Sequence, residues 1–233
     1  MGLNNQKGNM YGFVTHTWNT VKGECPHGCH YCYMKRFGNL KPVRFDKSEL
    51  NTDLGNGNFI FVGSSCDMWA DSISYDWIKT TLIHCKTHWG NTYLFQSKNP
   101  ERFLSFQHLL LSGSWVGTTI ESNRWLDEMG DAPHPRKRAS IIYDLATVNA
   151  FQTFVTIEPI MDFDLDAMEM LIRQMLPRQV NIGANTNHRV KLPEPSAEKV
   201  IELIESIQPI TTVRIKTNLK RIIGDAVNRM LED

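Results

Sequence analysis

The chain has 233 residues, 41% hydrophobic and 21% charged, which suits one soluble domain able to bury a full-sized core. Its 25 Lys and Arg balance 25 Asp and Glu, so zero formal net charge excludes a built-in, whole-molecule attraction to polyanions. No apolar run approaches a membrane span, and five cysteines, three of them crowded together, suit a reducing cytoplasm better than a disulfide framework.

In chain order, "MGLNNQKGNMYGF" lacks the apolar core of a signal peptide, so a cytoplasmic protein is expected. "YGFVTHT" (11–17) reads as the first strand. It leads into "GECPHGCHYCYMKRF", where Cys25, Cys29 and Cys32 lie within eight positions and no fourth cysteine follows nearby. Three thiolates suit zinc, with His16, His27 or His30 completing a Cys3His site. They also suit an iron–sulfur cluster in which one iron lacks a protein ligand. The polar, glycine-containing stretch 33–58 is expected to be an inserted loop or lid in an otherwise single domain, 1–233.

"FIFVG" (59–63) reads as the second strand and ends on Ser64, Ser65, Cys66 and Asp67. A helical pattern at 75–89 carries Cys85 as a core residue. "TYLFQS" (92–97) and "WVGTTI" (115–120) read as strands running into Lys98 and Glu121. A helix at 135–148 begins in the one concentrated basic run, 134–140, read as a solvated helix start with phosphate contact as the alternative. "TFVTIE" (153–158) closes an apolar strand on Glu158, which is costly to bury unless Arg136, Arg138, a ribose or a substrate amine pairs with it. Helices at 165–176 and 196–207 separate the last strands, "VNIGA" (180–184) with Asn181 and "TVRIK" (212–216) with Lys216. In 196–207, Val200, Leu203, Ile204 and Ile207 share one face.

Strands alternating with helices predict βαβ units and a mostly parallel sheet. Six or seven units make a barrel or an open partial barrel, with a doubly wound sheet as the alternative. Either architecture collects chemistry where strands end.

C-x-x-x-C-x-Φ-C, with Tyr31 as the aromatic Φ, resembles the signature of the radical S-adenosylmethionine (SAM) superfamily. "THTWNTVKGEC" and "PHGCHYCY" resemble the T-W-N-P…G-C…G-C-x-x-C-Y opening of a phage-encoded family of such proteins. "QSKNP" (96–100) is similar to that family's T-K-N-P, "GTTIES" (117–122) to G-V-T-V-E-N and "TIEPI" (156–160) to S-I-E-P-L. "VNIGANT" (180–186) stands in the place of V-I-V-G-G-E-S, and "RIKTN" (214–218) in the place of F-K-Q. These matches keep their order over about residues 15–218. Ala184 and Asn185 replace a Gly-Glu pair, which removes a carboxylate from the sixth strand's end, and Ser97 replaces Thr.

The resemblance implies a partial (β/α)6-type TIM barrel with a [4Fe–4S] cluster on Cys25, Cys29 and Cys32. The amino and carboxylate groups of SAM would chelate the fourth iron, and an external electron donor such as a flavodoxin would reduce the cluster. SAM would then yield methionine and a 5'-deoxyadenosyl radical that takes hydrogen from substrate. Ser64 and Ser65 are implied beside the methionine part, Lys98 at its carboxylate and Glu121 at the ribose. Glu158, Asn181 and Asn185 are further candidate cofactor contacts. Asp67, Cys66 and Lys216 are the candidate catalytic residues; Cys66 would be a hydrogen-atom donor, or in its ordinary reading a small buried hydrophobe. Asp67 could alternatively cap a helix. The family context implies a modified nucleotide or DNA base as substrate, with isomerisation of an amino-acid-decorated thymine as one role. A repair or RNA-modifying radical SAM enzyme and a zinc-stabilised binding module are the alternatives.

Overall fold

The structure is a computed structural model that describes residues 3–6, 11–148 and 150–224. β1 (Asn4–Asn5) pairs antiparallel with β2 (His16–Trp18), while β3 (Val21–Lys22) and β4 (Arg44–Phe45) form a small separate ladder. From β2 the main sheet continues through β5 (Phe59–Val62), β6 (Thr92–Gln96), β7 (Trp115–Thr119), β8 (Gln152–Ile157), β9 (Gln179–Ile182) and β10 (Thr212–Ile215). Every neighbouring pair from β2 to β10 is parallel, and spatial order follows chain order throughout. A doubly wound sheet would reverse its order at a switch point. This sheet never does, so all its crossovers run one way round an open partial barrel.

The connecting helices are α1 (Tyr75–Thr87), α2 (Glu101–Phe106), α3 (Pro135–Thr147), α4 (Leu165–Met175), α5 (Ala197–Ile207) and α6 (Lys220–Ile223). From α3 to α6 each packs on the next. The amphipathic pattern of α5 is realised: Val200, Leu203, Ile204 and Ile207 are fully buried, and the Ser196 hydroxyl caps the helix by accepting from the Lys199 N–H at 3.3 Å. Pro135 opens α3, where its missing N–H costs nothing. Gly117 on β7 lets β8 approach, since a Cβ there would lie 2.5 Å from the Phe154 ring. Among the described residues no helix is long and apolar enough to cross a membrane.

The expected first strand, 11–17, is shortened to three residues and shifted. Residues 11–14 instead turn, with the Val14 N–H bonded to the Tyr11 carbonyl at 3.0 Å. Tyr11 and Val14 then pack with Phe61, Leu94 and Phe154. Burying these side chains among the strands outweighs continuing the ladder. The six-residue α2 is too short to show a helical period. The stretch 33–58 holds two short 3-10 turns and β4, fastened by the Lys22 ammonium to Asp46 at 2.8 Å and Glu49 at 2.6 Å.

Candidate active site

Seven strands end at one pole and open onto a cavity of about 590 Å³. Cys25, Cys29 and Cys32 form one wall. Ser64, Ser65, Cys66 and Asp67 after β5, with Lys98 after β6, form the next. Opposite them stand Glu158 after β8, Asn185 after β9 and Lys216 after β10. Strand ends thus bring together eleven of the thirteen candidate residues. Glu121 and Asn181 lie outside the lining.

The cysteine loop is clamped from behind. Its Gly28 has φ +63°, a conformation that favours glycine. Gly130 approaches so closely that a Cβ there would sit 2.2 Å from the His27 carbonyl. Backbone bonds from His30 N–H to the Glu128 carbonyl (2.9 Å) and from Asp131 N–H to the His27 carbonyl (2.8 Å) stitch the two loops together. In front, the His27 Nε2 meets Asp67 Oδ2 at 2.8 Å. The same oxygen accepts from the Ser97 hydroxyl and the Lys98 N–H, each at 2.9 Å, while Oδ1 accepts from the Trp69 N–H at 3.0 Å. Burial alone would raise the Asp67 carboxyl, but the bond from His27 and these N–H donors hold it below its ordinary value. Asp67 therefore ties the cysteine loop to two strand ends. His27 is committed to this clamp and His30 is exposed.

Sequence spacing hides one thiol. The fold brings Cys66, 2% exposed, into the same cavity wall as Cys25. The neighbouring Cys66 thiol lowers Cys25 to about 6, whereas burial raises Cys29 to about 11 and also raises Cys32. The Cys25 sulfur beside it and burial both keep the Cys66 thiol protonated. Cys85 is buried in α1, away from this wall.

Behind the cavity lies a buried ion cluster. Glu121 and Arg138, both 0% exposed, pair at 2.9 Å, and the second Glu121 oxygen accepts from the Lys98 ammonium and the Tyr31 hydroxyl. Burial opposes ionisation of Glu121, yet the Arg138 and Lys98 charges hold it down to about 2. Glu121 thus anchors Tyr31 and Lys98 from below instead of facing a ligand. Arg138 serves Glu121, so it is not the partner of Glu158. Glu158 instead accepts from the Lys216 ammonium at 2.6 Å and the Asn218 amide at 2.8 Å.

The cavity floor is polar. The Tyr11 hydroxyl donates to the Gln96 carbonyl oxygen at 2.5 Å and shares a hydrogen bond with Thr156 at 2.7 Å, while the Gln96 amide donates to Thr119 at 2.9 Å. The Lys216 ammonium stands 4.8 Å from the Tyr11 ring centroid. Asn185 uses its amide on its own loop, to the Asn187 and Val190 carbonyls at 3.0 and 2.9 Å. Asn181 is buried in β9, accepting from the Gln179 amide at 2.8 Å. Sequence reasoning missed Tyr11, Gln96, Thr119 and Thr156. The last three had a signal, being polar residues in otherwise apolar strands. Tyr11 had none, because its role depends on the turn that shortens β2.

No protein-family model matches the chain, and no curated protein matches it in sequence. Among solved structures, a tyrosine-to-phenylalanine variant of spore photoproduct lyase superposes with TM-score 0.62 at 11% identity, covering 92% of this chain and 80% of the other. A cysteine-to-serine variant of that enzyme gives TM-score 0.61 at 10% identity, covering 90% and 78%. A third lyase structure, with bound AdoMet and dinucleoside spore photoproduct, gives TM-score 0.58 at 10% identity, covering 90% and 66%. At such identities the likeness establishes the fold: this chain is built on the same partial α/β barrel as spore photoproduct lyase.

Proposed function

We propose that the chain is a radical SAM enzyme that holds a [4Fe–4S] cluster on Cys25, Cys29 and Cys32 and modifies a nucleobase. The observation that carries this reading is three thiols of one clamped loop facing the same cavity as the polar strand ends. The donor set fits: thiolates suit iron–sulfur clusters, and three from one loop leave a coordination position for a small molecule. Zinc fits less well, because His27 is bound to Asp67, His30 is exposed, and His16 lies on β2 outside the cavity lining with its ring against the Thr15 hydroxyl at 2.9 Å. A fold shared with spore photoproduct lyase, one structure of which holds AdoMet, adds support.

When bound and reduced by an external donor such as a flavodoxin, cluster and SAM supply the 5'-deoxyadenosyl radical that takes hydrogen from substrate. The chain's own residues position and shield. Ser64 and Ser65 offer small polar groups and backbone beside the cysteine wall, and their loop is fixed by Asn19, whose Oδ1 accepts from the Ser65 N–H at 2.9 Å. Lys98, oriented by Glu121, gives the cavity a cationic point for SAM's carboxylate. The Glu158–Lys216 pair and the Tyr11–Gln96–Thr156 floor offer donors and acceptors to a neutral, polar, planar substrate such as a base. Asp67 acts as a positioning residue.

Cys66 is the hydrogen-atom donor in this reading, since its buried thiol lines the cavity. A Cys66→Ala variant is expected to keep its iron after anaerobic reconstitution but to lose product formation. Loss of iron in that variant would instead make Cys66 a fourth cluster ligand.

The substrate proposed is a modified pyrimidine in DNA, with isomerisation of an amino-acid-decorated thymine as the reaction. The dinucleoside photoproduct held by a protein of the same fold supports a nucleobase over a peptide. Mass spectrometry of nucleosides from cells expressing the wild type or a Cys29→Ala variant tests it. A nucleoside whose mass or retention time changes only with the wild type is expected; identical profiles would contradict a nucleobase substrate.

A further inference from the structure

The cavity's mouth is unlike the neutral chain as a whole. One lip is the 3-10 turn Tyr33–Phe37 and the residues after it, through Lys41. Along 33–41 stand Lys35, Arg36 and Lys41 and no carboxylate. Phe37 is 66% exposed, and Tyr33 stands partly in solvent with its hydroxyl donating to the Ser64 carbonyl at 2.9 Å. The Arg36 guanidinium lies between them, 5.8 Å from the Tyr33 ring centroid and 5.2 Å from that of Phe37. Lys41 sits against the cysteine loop, its carbonyl accepting from the Glu24 N–H at 2.9 Å.

The other lip is the loop after β9. Thr186 lines the cavity, and the Asn187 amide reaches the Cys32 carbonyl at 3.4 Å. Leu192 packs on the Cys29–Tyr31 cluster. Between them His188, Arg189 and Lys191 are exposed, again without a carboxylate along 185–191. Among the described residues, Arg36, Lys41, Arg189 and Lys191 make no ion pair. Of the carboxylates lining the cavity, Asp67 is held by His27 and Glu158 by Lys216, and Glu24 is exposed.

Cations interleaved with exposed aromatic rings suit a flexible single strand: phosphates meet the cations and bases stack on the rings. The lining points the same way, because it includes the buried strand residues Thr119 and Thr156, which a base stacked inside a duplex could not approach. We propose that this mouth docks a single nucleic-acid strand, Arg36, Lys41, Arg189 and Lys191 meeting phosphates and Phe37 and Tyr33 stacking bases, so that one nucleotide enters the cavity. The proposal rests on the reading of the cavity as a nucleobase-modifying site and names the form in which substrate arrives.

The test is fluorescence anisotropy of the full, anaerobically reconstituted chain with a labelled single strand of DNA, one of RNA and a DNA duplex of the same sequence. Tighter binding of either single strand than of the duplex is expected, and names the sugar. Affinity should fall about 10- to 100-fold between 50 and 200 mM salt, as for a few phosphate contacts (about three to five). Arg36→Glu with Arg189→Glu should weaken binding about tenfold or more relative to the charge-matched control Lys79→Glu with Arg178→Glu, whose sites lie away from the mouth. Phe37→Ala should weaken it about fivefold or more. Duplex preference, no binding at 50 mM salt, or a mouth variant binding as tightly as the control would overturn the proposal. SAM cleavage by the wild type without oligonucleotide is read in parallel. Cleavage without strand binding removes only the docking mouth, whereas strand binding without cleavage removes the radical SAM reading and leaves the mouth standing.

Discussion

Replacing Cys25, Cys29 or Cys32 with alanine is expected to abolish iron binding and SAM cleavage together, while the fold persists. The cofactor carries the difficult chemistry, so a chain that cannot hold it falls to background. No protein group in the cavity substitutes: Cys66 is the one further thiol in its lining, and burial and the Cys25 sulfur keep it protonated. Clamping by Gly130, Glu128, Asp131 and Asp67 runs through backbone and His27, and the sulfurs add to it only the Cys29 thiol's bond to the Met129 carbonyl at 3.2 Å, so far-UV circular dichroism should be unchanged. Iron retained at wild-type level by any one variant would show that its sulfur is not a ligand.

The largest loss of stability is expected from Arg138→Met. It leaves Glu121 fully buried with Lys98 as its one remaining cation, and breaking a buried pair costs about 3–5 kcal/mol. That is a large part of the stability of a typical domain. The pH dependence has a definite sign. Glu121 is held at about 2, below its ordinary 4.5, so its ionised form stabilises the fold above about 4.5 and that contribution is lost as pH falls toward 2. Urea unfolding at pH 7 and pH 3 should therefore show a wider gap between wild type and variant at pH 7. An equal gap at both values would mean that Glu121 is not ionised in the native protein.

The parallel strands were legible because short β-branched and aromatic runs alternate with segments of helical period, and the strand-end rule then placed the cavity. The cysteine wall was legible as a local motif. Long-range partners were not. Glu158 finds Lys216 and Asn218, 58 and 60 residues on, instead of an arginine of α3. Glu121 and Arg138, 17 apart and on different elements, look like two ordinary charges until the fold buries both. Cys66 reaches Cys25 only because β2 and β5 are adjacent in the sheet. Tyr11 carries the alternation of a strand, and only the packing of Phe61, Leu94 and Phe154 makes its turn the better arrangement.

The central claim is that three thiols hold a cluster with an iron open to SAM. The most direct measurement is iron and acid-labile sulfide per chain after anaerobic reconstitution, with 5'-deoxyadenosine formation from SAM under dithionite on the same sample. About four irons per chain and 5'-deoxyadenosine are the expected result. A colourless protein that retains one zinc and leaves SAM intact would contradict it.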